Sequence, residues 1–203
     1  MNNTKHNHWE NIYTTKSPEE VSWTQKVPET SLKLINQLNL PKDAAIIDIG
    51  GGDSNLVDFL LYEGYTNLTV LDISESALKR AQVRLGDKAK QVTWITTDIT
   101  EFKPTQTYEV WHDRAAFHFL TATNEVETYV NLVNKFATKN LIIGTFSVDG
   151  PLKCSGLPIT QYNKELIENV FSIGFTLKQS HTENHTTPFG TQQNFLFSTF
   201  IKK

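Results

Sequence analysis

The sequence predicts an α/β protein whose doubly wound, mostly parallel seven-stranded sheet has an antiparallel last strand and carries a helical N-terminal cap. Three observations predict it: short apolar runs alternate with amphipathic stretches, the first run closes in Gly50-Gly51-Gly52, and the last two apolar runs have no helix between them.

Each element follows in order. Residues 1–43 scatter Trp9, Tyr13 and Trp23 among polar residues before an amphipathic stretch through Leu32, Leu34, Ile35 and Leu38, a cap laid over the sheet. The core occupies 44–203, and cap and core together make one domain. Ala44 to Ile49 is a buried strand ending in the glycine loop. Leu56, Val57, Phe59, Leu60 and Leu61 then recur at helical spacing until Gly64, and Leu68 to Leu71 forms a second strand stopped by Asp72. Ser74 or Ser76 opens a helix carrying Ala77, Leu78, Ala81 and Leu85, with Gly86 as its stop and Val92 to Thr96 as the third strand. Tyr108 to Trp111 is the fourth strand, Glu125 to Phe136 an amphipathic helix, and Leu141 to Phe146 the fifth strand. A loop spans Gly150-Pro151 to Leu157-Pro158, followed by a helix around Asn163 to Phe171. The segments Phe175 to Leu177 and Phe195 to Phe200 lack a crossover, so they pair antiparallel.

Composition narrows the function. The 203 residues are 38% hydrophobic and 20% charged, enough for one sizeable core. The 19 Lys and Arg against 22 Asp and Glu leave −3, with no cationic cluster to neutralise phosphates, which argues against a nucleic-acid partner. No apolar run reaches the roughly 18 residues of a membrane span. The start is polar where a signal peptide turns apolar, so no membrane is expected as a partner and the expected location is cytoplasmic. Asn67-Leu68-Thr69 and Asn184-His185-Thr186 therefore carry no glycosylation reading. Cys154 is the only cysteine, excluding intrachain disulfides and multi-cysteine zinc sites, and neither His112 with His118 nor His181 with His185 has metal-ligand spacing. No metal is expected. A monomer or weak homodimer is.

In a parallel sheet, ligands bind beyond the carboxyl ends of the strands, where strand order reverses. Asp48 lies there beside the glycine loop, Asp72 ends the second strand, Asp98 follows the third, and His112 and Asp113 end the fourth. Asp72 stands 20 residues after Gly52, the offset of a dinucleotide site, but the third glycine of that fingerprint is replaced by Asn55, and Asp53 would repel a pyrophosphate. A cationic ligand with an amino-acid end meets no such objection.

Asp48-Ile49-Gly50-Gly51-Gly52-Asp53-Ser54, Leu71-Asp72-Ile73 and Thr97-Asp98-Ile99 resemble the first three motifs of class I S-adenosylmethionine-dependent methyltransferases, a Rossmann-like family. Ser54 departs from the fullest form of the loop, which has a third glycine. The resemblance implies S-adenosylmethionine as cofactor, with Gly50, Gly51 and Gly52 along its methionine part and Asp48 near its amino group. Asp72 would take both ribose hydroxyls, Ile73 would lie against adenine, and Asp98 and Ile99 would read the adenine edge. His112, and Trp23 from the cap, join the cofactor-binding set.

Val110 to Leu120, with Trp111-His112-Asp113-Arg114, is similar to the fourth-strand motif of thiopurine S-methyltransferases, with one residue extra. It implies that Arg114 faces a small-molecule substrate and Asp113 orients it, under a loop of residues 150–156. The plainer alternative makes Asp113 a helix cap paired with Arg114. His118 is either a general base or a packed histidine. Cys154 reads better as a small hydrophobe than as a reactive thiol. The aromatic cluster of the cap is either a satellite core or a lid that faces the sulfonium.

The acceptor expected is therefore a small molecule, a thiol or other soft nucleophile. His8 to Tyr13 and Val21-Ser22-Trp23 also resemble the opening of protein lysine methyltransferases, which is the rival reading. A cofactor-binding regulatory protein without catalysis is the alternative of another class. No Asn-Pro-Pro-Tyr type motif follows the fourth strand, which opposes a nucleic-acid substrate.

Overall fold

The computed structural model describes residues 3–203. Helix α1 (Asn3–Thr15) and α2 (Glu29–Asn36) form the N-terminal cap. The core then runs β1 (Ile46–Ile49), α3 (Leu56–Tyr62), β2 (Leu68–Asp72), α4 (Glu75–Leu85), β3 (Val92–Thr96), β4 (Tyr108–Arg114), α5 (Thr123–Phe136) and β5 (Ala137–Phe146). A small hairpin of β6 (Lys153–Cys154) and β7 (Leu157–Pro158) precedes α6 (Lys164–Phe171), β8 (Phe175–Thr186) and β9 (Gln192–Lys202).

The main sheet has seven strands in the order β3-β2-β1-β4-β5-β9-β8. Its first five strands are parallel, while β9 runs antiparallel to both β5 and β8. Strand order reverses between β1 and β4, so a crevice opens beyond their carboxyl ends.

Alternation along the strands splits the core in two. Ile47, Ile49, Trp111, Leu141 and Ile143 face α5 and α6, packing on Tyr129, Val133, Ile167 and Phe171. Ile46, Val70, Val110, Ile142 and Phe197 face α2, α3 and α4, packing on Leu32, Ile35, Leu60 and Leu78. Local chemistry sets the ends: Ser74 caps α4 by accepting from the Ala77 amide, Asn163 caps α6 through Leu166, and Gly86 ends α4 at φ +56.

One boundary matters for function. Strand β4 continues through Arg114, three residues past the expected end at Trp111, because His112, Asp113 and Arg114 pair in register with Ile142, Ile143 and Gly144 of β5. His112 and Arg114 therefore project to one face and Asp113 to the other.

Candidate active site

A cavity of about 380 Å³ lies at the carboxyl edge of β1, β2 and β4. Asp48, Gly50, Gly51, Asp72, Ile73, Asp98, Ile99, His112, Arg114 and Trp23 line it, with Trp9 and Tyr13 of α1 and Phe119. The aromatic cluster is one packed unit: Trp9 meets Trp23 and Phe119 at ring distances of 5.6 and 5.0 Å, and Tyr13 meets Trp23 at 6.2 Å.

The glycine loop is built for close approach. Gly50 and Gly52 have φ of +64 and +46, which L side chains avoid. A Cβ on Gly50 would lie 2.6 Å from that of Ala116, and one on Gly51 would lie 2.7 Å from the Asp48 carboxylate. Gly52 is outside the cavity lining, and a Cβ there would lie 3.0 Å from both the Asp72 carboxylate and the Tyr13 hydroxyl.

Asp72 Oδ1 accepts from the Ser74 amide at 2.8 Å. Burial pushes its carboxyl up to about 7; the Ser74 amide opposes this, and the carboxylates of Asp53 and Asp48 add to it. Asp53 is itself raised by burial, against the pull of Arg80 at 3.4 Å. Three carboxylates thus converge on one cavity, an arrangement that a cationic ligand relieves. Asp98 spends Oδ1 on the Thr100 amide and hydroxyl, at 2.9 and 2.7 Å.

His112 is more than a lining residue. Its Nδ1 lies 2.7 Å from Asp48 Oδ1 and its Nε2 2.9 Å from Ser31 Oγ, so a hydrogen-bonded chain runs from the first strand to the cap. Ser31 was not legible as a site residue, because a serine inside an amphipathic helix carries no signal of its partner.

The structure corrects two assignments. Asp113 is fully buried and does not meet Arg114 or the cavity: Oδ1 accepts from the amides of Ala116 and Phe117, both at 3.0 Å, and Oδ2 from the Tyr129 hydroxyl at 2.7 Å. Burial pushes it up to about 6, against those hydrogen bonds. Strand alternation separates it from Arg114, so it acts on the site only by holding the turn at Ala115, which has φ +67. His118 is also fully buried and off the cavity, accepting from the Phe146 amide at 3.1 Å through Nδ1. Burial, with Arg114 adding to it, lowers His118 to about 3, so it stays neutral and packed rather than acting as a base.

Arg114 does reach the cavity. Its Nη1 donates to the Trp23 carbonyl at 3.0 Å, its guanidinium lies 4.7 Å from the Phe195 ring centre, and burial lowers it to about 10, leaving it charged at neutral pH. Cys154 also lines the cavity, but burial pushes its thiol up to about 11, so it is a neutral wall.

The cradle and the converging carboxylates fit a cationic ligand such as S-adenosylmethionine. Residues 46–136 match the family model described as a methyltransferase domain. The chain carries a class I S-adenosylmethionine-dependent methyltransferase domain. Its cofactor is S-adenosylmethionine.

The methyltransferase is 24% identical over 129 residues to the mouse eEF1A lysine and N-terminal methyltransferase, a match covering 63% of this chain and 18% of that protein. It therefore spans less than a fifth of that relative's length. Among solved structures, one described as the conversion of a disulfide bond into a thioacetal group during echinomycin biosynthesis superposes with TM-score 0.79 and 15% identity, covering 98% of this chain and 93% of that one. Magnesium protoporphyrin IX methyltransferase from Synechocystis with bound S-adenosylhomocysteine gives 0.69 and 19%, covering 100% and 95%. The two structures share the fold. Among the described residues, no group of three or more His, Cys, Asp or Glu is placed to hold a metal, and no helix is long and apolar enough to cross a membrane.

Proposed function

We propose that this methyltransferase modifies a small-molecule acceptor, a thiol or other soft nucleophile, and that Asp48, Gly50, Gly51, Gly52, Asp72, Ile73, Asp98, Ile99, His112 and Trp23 hold the cofactor. The bound cofactor supplies an electrophilic methyl group. The chain supplies position: displacement needs the nucleophile in line, and Trp9, Trp23 and Phe119 give the cavity an aromatic wall.

The observation that carries the small-molecule reading is the charged Arg114 beside a roofed cavity. An unmethylated lysine enters as an ammonium, with a pKa near 10.4, and a guanidinium at the acceptor end raises the cost of bringing it in. A thiol arrives neutral and ionises more readily, and a nearby cation favours its thiolate. The thioacetal-forming structural neighbour supports sulfur chemistry in this fold.

The lysine reading keeps one observation in its favour, the mouse relative. Incubation with methyl-labelled cofactor and either a thiol panel or protein extracts separates the two. Label in a small thiol is the expected result, and label confined to protein lysines overturns it.

A further inference from the structure

The guanidinium of Arg114 is half used. Nη1 is held by the Trp23 carbonyl, but Nε and Nη2 are shielded from solvent and have no hydrogen-bond partner. These two nitrogens form one edge of the guanidinium fork, whose parallel N–H bonds match the two oxygens of a carboxylate. No carboxylate of the described residues stands within 4 Å of it. The carboxylates whose charge acts on it are committed elsewhere, Glu183 to the Thr30 hydroxyl and Asp48 to His112. A buried cation with two unmade bonds is costly, so the edge is shaped for something that arrives.

We infer that the acceptor carries a carboxylate, which docks side-on against Nε and Nη2 of Arg114. The inference rests on the small-acceptor reading above and deepens it. The cofactor also has a carboxylate, at the methionine end proposed to lie along Asp48 and the glycine loop of β1, next to β4, so cofactor affinity in the Arg114 variants has to tell the two carboxylates apart. Arg114 itself pairs with Gly144 of β5 and stacks on Phe195 of β9, on the side of the sheet away from Asp72 and Asp98. Docking requires only that the N–H edge open to the cavity that Arg114 already lines. The acceptor's reacting atom is then held at the far end from its carboxylate, toward the glycine loop.

The test is calorimetric titration of the S-adenosylhomocysteine complex with matched acids and amides: mercaptoacetate and mercaptoacetamide, phenylacetate and phenylacetamide, succinate and succinamide. At least one acid should bind about tenfold tighter than its amide. Arg114→Gln should remove that preference while S-adenosylhomocysteine affinity stays within about twofold, which also reports that the variant is folded. Arg114→Lys, which keeps charge but not the fork, should recover only part of it. Acids that bind no better than amides overturn the carboxylate assignment and leave the small-acceptor reading standing if a thiol is still methylated. Weaker S-adenosylhomocysteine binding in both Arg114→Gln and Arg114→Lys also overturns it, since Lys keeps a donor for the Trp23 carbonyl and the loss would then belong to the fork serving the cofactor. Label confined to protein, with no acid preferred, overturns both readings.

Discussion

His112 and Asp48 face each other across the β1–β4 pair with 2.7 Å between Nδ1 and Oδ1, and the far nitrogen of the same ring reaches Ser31 of α2. One imidazole thus ties the carboxylate of the cofactor cavity to the cap. Replacing His112 with Phe strands two buried polar groups, so stability should fall by about 1–3 kcal/mol and S-adenosylhomocysteine affinity with it. Thermal unfolding and calorimetry check this; affinity equal to the parent in a folded variant refutes the coupling.

Asp72 makes a pH prediction. Its carboxyl, raised to about 7, holds a proton in the native protein that the unfolded chain has released above about 4, so the unliganded protein loses stability as pH rises between those values. Ionised Asp72 is the better acceptor for ribose hydroxyls, so S-adenosylhomocysteine affinity should climb as pH rises through about 7. Asp72→Asn should flatten both profiles, raise the melting temperature at pH 8, and weaken binding by more than about 1 kcal/mol.

Asp113 is predicted to matter for folding rather than chemistry. Tyr129→Phe leaves Asp113 Oδ2 and the indole N–H of Trp111 unpartnered, and Asp113→Ala leaves two amides and the hydroxyl proton of Tyr129 without an acceptor. Each should cost about 1–3 kcal/mol, and a double-mutant cycle should show strong coupling. Turnover per folded molecule after Tyr129→Phe should stay near the parent value.

Glu10 of α1 binds the hydroxyls of Ser74 and Ser76 and the Ser76 amide, at the start of α4 and two residues past Asp72. The cap is therefore anchored beside Asp72 at the rim of the cavity. Glu10→Ala should loosen α1 and speed S-adenosylhomocysteine release several-fold, measured by stopped-flow tryptophan fluorescence, since Trp9 and Trp23 sit in the roof. An unchanged release rate would show that α1 does not gate the cavity.

His118, lowered to about 3, should contribute no inflection between pH 5 and 8 in the turnover profile, so the one that Asp72 places near 7 should persist in His118→Gln. An inflection that disappears in His118→Gln would restore it as a base.

The sequence by itself determined the alternating core, the glycine loop and the acidic groups of successive strand ends. These are local signals: periodicity names the buried face, glycine names the left-handed turn, and a polar residue closing an apolar run marks the ligand edge. The antiparallel pairing of β8 and β9 was legible too, because no crossover separates them. Tertiary structure alone decided the rest. Whether Asp113 meets Arg114 depends on how far β4 runs, and that is set by its pairing with β5, not by residues 108–114. That Ser31 completes a chain with His112 and Asp48, and that Arg114 keeps one edge unpaired, depends on where a cap more than 80 residues away lands on the sheet. Backbone period and turn chemistry are written in neighbours along the chain, whereas hydrogen-bond partners are chosen by neighbours in space.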